Sequence, residues 1–178
     1  MKKWTTLMLA RAGVIAALYT ALTFACFPVA SGNVQFRISE MLTLLPLFYV
    51  EAIPALFVGC LLSNIISGCV LWDIALGSLV TLTAAVLTHF MGKLFKNAFL
   101  RITLGGAFPV ILNALFLPLI WWLSYGELSV GYWLNVGFLL LSQGVIIWGA
   151  GTALYFALNG LLNKRIAVLL PIRPDNRE

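Results

Sequence analysis

Long apolar runs occupy most of this 178-residue sequence, and they leave the chain few ways to fold. Only 10% of the residues are charged, whereas 62% are hydrophobic. A soluble domain carries about 25% charged residues, so this composition cannot cover a surface that faces water. Runs of about 20 apolar residues instead match the thickness of a lipid bilayer. The sequence therefore predicts an all-α integral membrane protein. Its apolar windows are 4–30, 41–50, 52–71, 74–92, 102–124 and 132–162.

The number of crossings depends on the windows 41–50 and 52–71, which are separated by Glu51. If each window crosses once, ten of the eleven basic residues fall on one side and only Arg37 falls on the other. Basic residues accumulate in cytosolic connections, so this split favours six transmembrane helices with both termini cytosolic. As an α-helix, window 41–50 is only about 15 Å long. We therefore expect the second crossing to borrow residues from 35–39, or to be short, tilted or broken.

The chain is expected to form one domain with a short tail. Residues 1–170 make up the transmembrane domain, and residues 171–178 form a cytosolic tail with two prolines and alternating charge. Cys26, Cys60 and Cys69 lie in apolar runs without metal-binding spacing, so we expect no metal site. No phosphate loop, zinc-protease motif or Ser/His/Asp set occurs, so we expect no catalytic residues. No polar, basic stretch suits nucleic acid.

Polar and aromatic residues gather in the connections that this topology places outside the cell. Deeper polar residues accompany them, and Asn113 and Gln143 each lie about eleven residues from the outer end of their helix. An amide at that depth must find a partner or line a wet cavity. These residues predict a polar, aromatic pocket that opens to the exterior. The predicted lining comprises Arg37, Glu40, Asn64, Trp72, Asp73, Asn113, Glu127, Trp133 and Gln143.

Each of these residues also has a simpler interpretation. Tryptophan at a helix end commonly anchors the helix at the membrane interface, and a buried amide commonly bonds between helices. Asp73 could cap the fourth helix, and Arg37 with Glu40 could form a surface pair.

Small residues recur along the first helix in two adjacent rows. One row contains Gly13, Ala17, Ala21 and Ala25, and the other contains Ala12, Ala16 and Thr20. Rows of this kind let another helix approach closely within a membrane. They predict a docking face for a partner protein, or alternatively contact with helices of the same chain.

Two segments resemble signatures of the QueT family. The segment at 33–47 reads NVQFRISEMLTLLPL, and the segment at 72–82 reads WDIALGSLVTL. The resemblance implies a bundle of six transmembrane helices that acts as the substrate-binding S component of an energy-coupling factor (ECF) transporter. The implied substrate is a queuosine precursor or a queuine-type 7-deazaguanine.

The resemblance also implies partners and a location. A membrane coupling subunit and two cytosolic ATPases would assemble with the chain, so ATP would be used by the partners and this chain would carry no cofactor. The location would be the cytoplasmic membrane of a prokaryote. The loop after the first helix resembles a gate over the site. The coupling subunit would dock on Ala12, Gly13, Ala16, Ala17 and Ala21.

A guanine-like base suggests roles for the predicted lining. Its adjacent N–H donors suit a carboxylate, and its carbonyl suits an amide or guanidinium donor. Glu40, Asp73 or Glu127 would read the donors, and a tryptophan, Trp72 or Trp133, would stack on the ring. The alternatives are an S component for another vitamin-sized ligand, a small membrane enzyme that uses the outer carboxylates, and a structural subunit without a ligand.

Overall fold

The computed structural model describes residues 4–26, 36–128 and 130–163. Most of the loop after the first helix, which we predicted to be a gate, lies outside these ranges, as does the predicted tail at 171–178. Six of the basic residues that support the predicted topology also lie outside them: Lys2, Lys3, Lys164, Arg165, Arg173 and Arg177.

Within these ranges the chain forms six helices and no strand, which confirms the all-α prediction. Two of the helices contain wide π-helical turns. The helices are α1 (Thr6–Ala25), α2 (Ile38–Leu47), α3 (Ala52–Ile66), α4 (Asp73–Gly77 continued by Ser78–Leu94), α5 (Ala98–Tyr125) and α6 (Tyr132–Gly144 continued by Val145–Gly151 and Thr152–Asn163).

Helix α2 is the short element that the sequence predicted. It begins at Ile38, has ten residues, contains Pro46, and is wound as a 3₁₀-helix. With a rise of about 2.0 Å per residue it is about 20 Å long, which is less than the bilayer core of about 30 Å. By length and composition, α1, α4, α5 and α6 are each able to cross a membrane, whereas α2 and α3 are shorter apolar helices.

At one end of the bundle, α2 and α4 begin and α3 ends. Arg37 immediately precedes α2, and its Nη2 donates to Oδ1 of Asn64 on α3 at 2.8 Å. Nδ2 of Asn64 in turn donates to the backbone oxygen of Asp73 at 3.2 Å. We call this the Asp73 end.

At the opposite end, α1 and α5 begin and α2 ends. Arg11 of α1 forms an ion pair of 2.7 Å with the buried Glu51, which lies between α2 and α3. Nη2 of Arg101 on α5 donates to the backbone oxygen of Leu47 at 2.9 Å. We call this the Arg101 end. Successive helices therefore run in alternate directions, as the six-helix prediction requires.

A close contact between α1 and α3 uses one of the two small-residue rows. A Cβ atom built on Gly59 would lie 2.9 Å from Cβ of Tyr19 and 3.1 Å from the backbone oxygen of Ala16. Ala16 is buried, and the hydroxyl of Thr20 donates to the backbone oxygen of Gly59 at 3.3 Å. This row therefore packs within the chain.

The other row faces outward. Gly13, Ala17 and Ala21 are exposed, and a Cβ atom built on Gly13 would meet nothing within 4 Å. Ala12 lies between the two faces and is half-buried. Of the residues predicted to dock a partner, Gly13, Ala17 and Ala21 form the free face, while Ala16 is covered by α3.

Candidate functional site

A buried carboxylate on α2 lies at the centre of the predicted polar residues. Glu40 is 2% exposed, and its Oε1 accepts a hydrogen bond of 2.7 Å from the hydroxyl of Tyr19. Its Oε2 accepts a bond of 3.3 Å from Nδ2 of Asn113, which also donates to Oε1 of Gln143 at 3.4 Å. Asn113 and Gln143 are therefore at one depth, as the sequence predicted. Four helices (α1, α2, α5 and α6) contribute to this network.

A second group of polar residues joins the network from the Asp73 end. Arg37 is 9% exposed and bonds to Asn64, as described above. It is close enough to Glu40 and Asp73 to interact with both through their charges. Arg37 and Glu40 are thus both buried and do not form a surface pair. We define the Glu40 cluster as Tyr19, Arg37, Glu40, Asn64, Asp73, Asn113 and Gln143.

Asp73 lies in the first turn of α4 and is half-buried. Its side chain lies within hydrogen-bonding reach of Cys69 and Trp121. The helix-capping position is Trp72, and that residue makes no capping bond. Asp73 therefore contributes a carboxylate to the Glu40 cluster from its more accessible side, and the capping interpretation does not describe it.

Irregular backbone surrounds the Glu40 cluster. Helix α2 is a 3₁₀-helix, and Asp73–Gly77 at the start of α4 is a π-helical turn. A second π-helical stretch, Val145–Gly151, begins two residues after Gln143. Such departures from α-helix are enriched at functional sites, because they redirect side chains that a regular helix would point elsewhere. Their position supports a binding role for the cluster.

The Glu40 cluster does not balance its own charge. It contains two carboxylates, on Glu40 and Asp73, and one guanidinium, on Arg37, so its formal charge is −1 when both carboxylates are ionised. A charge buried in a medium of low dielectric constant is costly unless a partner compensates for it. The cluster is therefore suited to a polar ligand that carries N–H donors and a positive charge.

Three residues of the predicted lining lie apart from the cluster. Trp72 is 57% exposed and Trp133 is 77% exposed, which is typical of aromatic residues that anchor helices at a membrane interface. Glu127 is exposed and lines a surface cleft between the adjoining ends of α5 and α6, together with Trp122 and Tyr132. The predicted roles of Trp72, Trp133 and Glu127 in ligand binding stay predictions.

Sequence reasoning missed Tyr19 and Glu51. Tyr19 belongs to the cluster, but a tyrosine within an apolar helix has no local pattern that marks it. Glu51 pairs with Arg11 at the Arg101 end, and its signal was available, because an ionisable residue between two apolar windows is expected to have a partner.

The fold and the cluster together define a class. A helical membrane protein that holds carboxylates, a guanidinium and amides inside its bundle has the arrangement typical of proteins that bind and move a polar solute. Comparison with known proteins supports this class. The model of the QueT transporter family matches residues 9–160, and the chain therefore belongs to the QueT transporter family.

One curated relative with an assigned name matches part of the chain. The chain is 35% identical over 100 residues to the queuosine precursor transporter QueT of Lactococcus lactis subsp. cremoris (strain MG1363). That match covers 54% of this chain and 58% of the relative, so it spans less than two thirds of the relative's length. No solved structure matches the chain.

Proposed function

We propose that this chain is the S component of an ECF-type importer and that it captures a 7-deazaguanine queuosine precursor from outside the cell. The observation that carries the proposal is the Glu40 cluster, in which two carboxylates, three amides and a guanidinium converge from α2, α3, α4, α5 and α6. Membership of a transporter family and the name of the relative support it. Both also favour a transport role over an enzymatic one.

The chemistry of the cluster matches the edge of a guanine-like base. Adjacent ring and amino N–H groups form a paired donor that one carboxylate binds well. Glu40 is placed to accept from that edge, with Asp73 as the second carboxylate. Asn64, Asn113, Gln143 and Arg37 carry N–H groups of the kind that a ring carbonyl requires, although Asn64, Asn113 and Arg37 also donate within the chain.

The charge of the cluster favours one group of precursors. A 7-deazaguanine with an aminomethyl group is a monocation near neutral pH, because an alkylamine has a pKa of about 10. It would offset the formal charge of −1 that the two carboxylates and Arg37 leave. We therefore propose a precursor that carries an amine, such as 7-aminomethyl-7-deazaguanine, over an uncharged base.

Energy for uptake would come from partners. We propose that a membrane coupling subunit docks on the exposed row Gly13, Ala17 and Ala21 of α1, and that two cytosolic ATPases hydrolyse ATP, so this chain needs no cofactor. The chain would lie in the cytoplasmic membrane of a prokaryote with both termini in the cytosol. The Arg101 end would then face the cytosol, as the positive-inside rule requires, and the Asp73 end would face the exterior.

Uptake in cells tests the proposal. Cells would express the chain with or without an ECF coupling subunit and its ATPases, and we would measure accumulation of labelled 7-aminomethyl-7-deazaguanine. We expect accumulation only when all subunits are present and the ATPases are active. Accumulation by the chain alone would contradict the S-component role, whereas preferential uptake of another vitamin would contradict the substrate.

A further inference from the structure

Helix α6 contains two buried amides that each have an atom without a hydrogen-bond partner. Asn135 is 1% exposed and Gln143 is 0% exposed. Within residues 4–26, 36–128 and 130–163, Oδ1 of Asn135 and Nε2 of Gln143 are among the few buried side-chain atoms that lack a partner. Asn135 is not among the predicted lining residues.

The other atom of each amide is already bonded. Nδ2 of Asn135 donates to the backbone oxygen of Gly131 at 2.9 Å, so the side chain is held in place and its carbonyl oxygen is left over. Oε1 of Gln143 accepts from Nδ2 of Asn113 at 3.4 Å. The NH₂ group of Gln143 has no partner among the described residues. A buried polar group without a hydrogen-bond partner is costly, so a ligand that bonds to these two atoms would be favoured. One acceptor and one donor therefore lack a partner on α6.

The two amides lie on one side of α6. Eight residues separate them, which corresponds to about 12 Å along an α-helix and about 80° around it. Leu139, between them, is fully buried, so this side of α6 faces the interior of the bundle. Gln143 lies beside Asn113 and Glu40, while Asn135 is about two turns nearer the Asp73 end.

The order of these groups matches the order of groups on an aminomethyl deazaguanine. Along that base, the ring N–H donors adjoin the carbonyl acceptor, and the carbonyl adjoins the substituent that carries the amine donor. Along the site, the carboxylate of Glu40 is an acceptor, Nε2 of Gln143 is a donor and Oδ1 of Asn135 is an acceptor. The donor–acceptor–donor order on such a ligand is therefore complementary to the acceptor–donor–acceptor order of these three groups.

We infer that Gln143 donates to the ring carbonyl of the ligand and that Asn135 accepts from the amine of its substituent, so that Asn135 determines specificity for the substituent. This inference rests on the proposed function, because it assigns a protein partner to the carbonyl and to the amine of the proposed ligand. It makes Asn135 a binding residue whose contribution depends on which group the ligand carries.

Calorimetric titration of the purified full chain with two bases tests the inference. The bases are 7-aminomethyl-7-deazaguanine and the unsubstituted 7-deazaguanine. In Asn135→Leu, which removes the acceptor and keeps the volume, affinity for the aminomethyl base is expected to fall at least tenfold, whereas affinity for the unsubstituted base stays within threefold. In Gln143→Met, both affinities are expected to fall at least tenfold.

Two further variants control for structural effects. Ser142→Ala removes a buried hydroxyl of α6 that bonds to the backbone oxygen of Leu139, and it should leave both affinities within threefold. Asn135→Asp keeps the shape and an acceptor oxygen but cannot donate to Gly131, and its charge should increase the preference for the aminomethyl base over the unsubstituted base at least tenfold. It therefore serves if Asn135→Leu does not fold.

The outcomes distinguish failure of this inference from failure of the proposed function. If the parent binds the bases but Asn135→Leu keeps its affinity for both within threefold, the inference is wrong and the function stands. An equal loss for both bases in Asn135→Leu, with no discrimination between them, also overturns it. If Asn135→Asp has to serve, an unchanged ratio of the two affinities overturns it as well. If the parent binds neither base, the proposed function fails and the inference falls with it.

Discussion

Both carboxylate oxygens of Glu40 accept hydrogen bonds within the chain, from Tyr19 and Asn113. Glu40→Gln replaces one acceptor with a donor and removes the charge. Loss of a charge-assisted bond in a desolvated pocket should weaken ligand binding by about 2–4 kcal/mol, which is roughly 30- to 1000-fold in Kd. Titration calorimetry with 7-aminomethyl-7-deazaguanine measures the effect, with melting temperature as the check on folding.

Glu127 provides a matched control for Glu40. The structure places it on an exposed cleft rather than in the cluster. Glu127→Gln makes the same chemical change at a solvated position, where the expected effect is about 1 kcal/mol or less. Equal losses in Glu40→Gln and Glu127→Gln would show that general charge, not recognition in the cluster, controls affinity.

The sequence predicted every member of the cluster except Tyr19, and it also predicted lining residues that lie apart from the cluster. Arg37, Glu40, Asn64, Asn113 and Gln143 were recognisable because a polar side chain in an apolar run needs a partner. Trp72 and Trp133 were grouped with them because an aromatic residue near a helix end is equally consistent with a pocket and with an interface anchor. Periodicity does not separate these roles, since they depend on which way the helix is rotated in the bundle.

At the scale of elements, the contact of α1 with α3 holds Tyr19 against Glu40. Gly59→Ala would place a methyl group 2.9 Å from Cβ of Tyr19, and neither backbone can yield without moving its helix. We expect a loss of about 1–3 kcal/mol in stability, a lower melting temperature and weaker ligand binding, because Tyr19 is displaced. Thermal unfolding and calorimetry measure the two effects.

Gly13→Ala is the control for this substitution. It adds the same methyl group to α1 where nothing lies within 4 Å. Because alanine favours a helix over glycine by up to about 1 kcal/mol, its melting temperature should be equal or higher. If Gly59→Ala behaves like Gly13→Ala, the close packing of α1 on α3 is not important for the site.

The exposed row of α1 supports a different prediction. Ala17→Leu or Ala21→Leu should reduce co-purification with the coupling subunit and reduce transport, because a bulky side chain holds the partner helix away. Ligand affinity should stay within about threefold, since the Glu40 cluster lies on the other side of the helix. Loss of ligand binding together with intact co-purification would contradict this docking face.

Element bounds were predictable where hydropathy alone decides them. The windows for α1, α4, α5 and α6 agree with four long helices. The 3₁₀ winding of α2 and the π-helical turns at Asp73–Gly77 and Val145–Gly151 were not predictable, because they depend on tertiary contacts. Bonds from His89 to the oxygen of Pro46 and from Arg101 to that of Leu47, for example, hold the end of α2.

At the scale of the whole molecule, the orientation in the membrane is open to direct measurement. Arg11, Lys93, Lys96 and Arg101 lie at or near the Arg101 end, which we expect to face the cytosol. A reporter fused after Lys96 should therefore read as cytosolic, and a reporter fused after Glu127 should read as extracellular. The reverse pattern, or one side for both fusions, would contradict the proposed topology.

Capture of an amine-bearing 7-deazaguanine at the Glu40 cluster is most directly tested by calorimetric titration of the purified chain with a panel of ligands. The panel contains 7-aminomethyl-7-deazaguanine, queuine, guanine and several vitamins. We expect saturable binding of one ligand per chain for the amine-bearing deazaguanines, weaker binding of guanine and none of the vitamins. Tighter binding of a vitamin, or no binding of any deazaguanine, would contradict the proposed substrate.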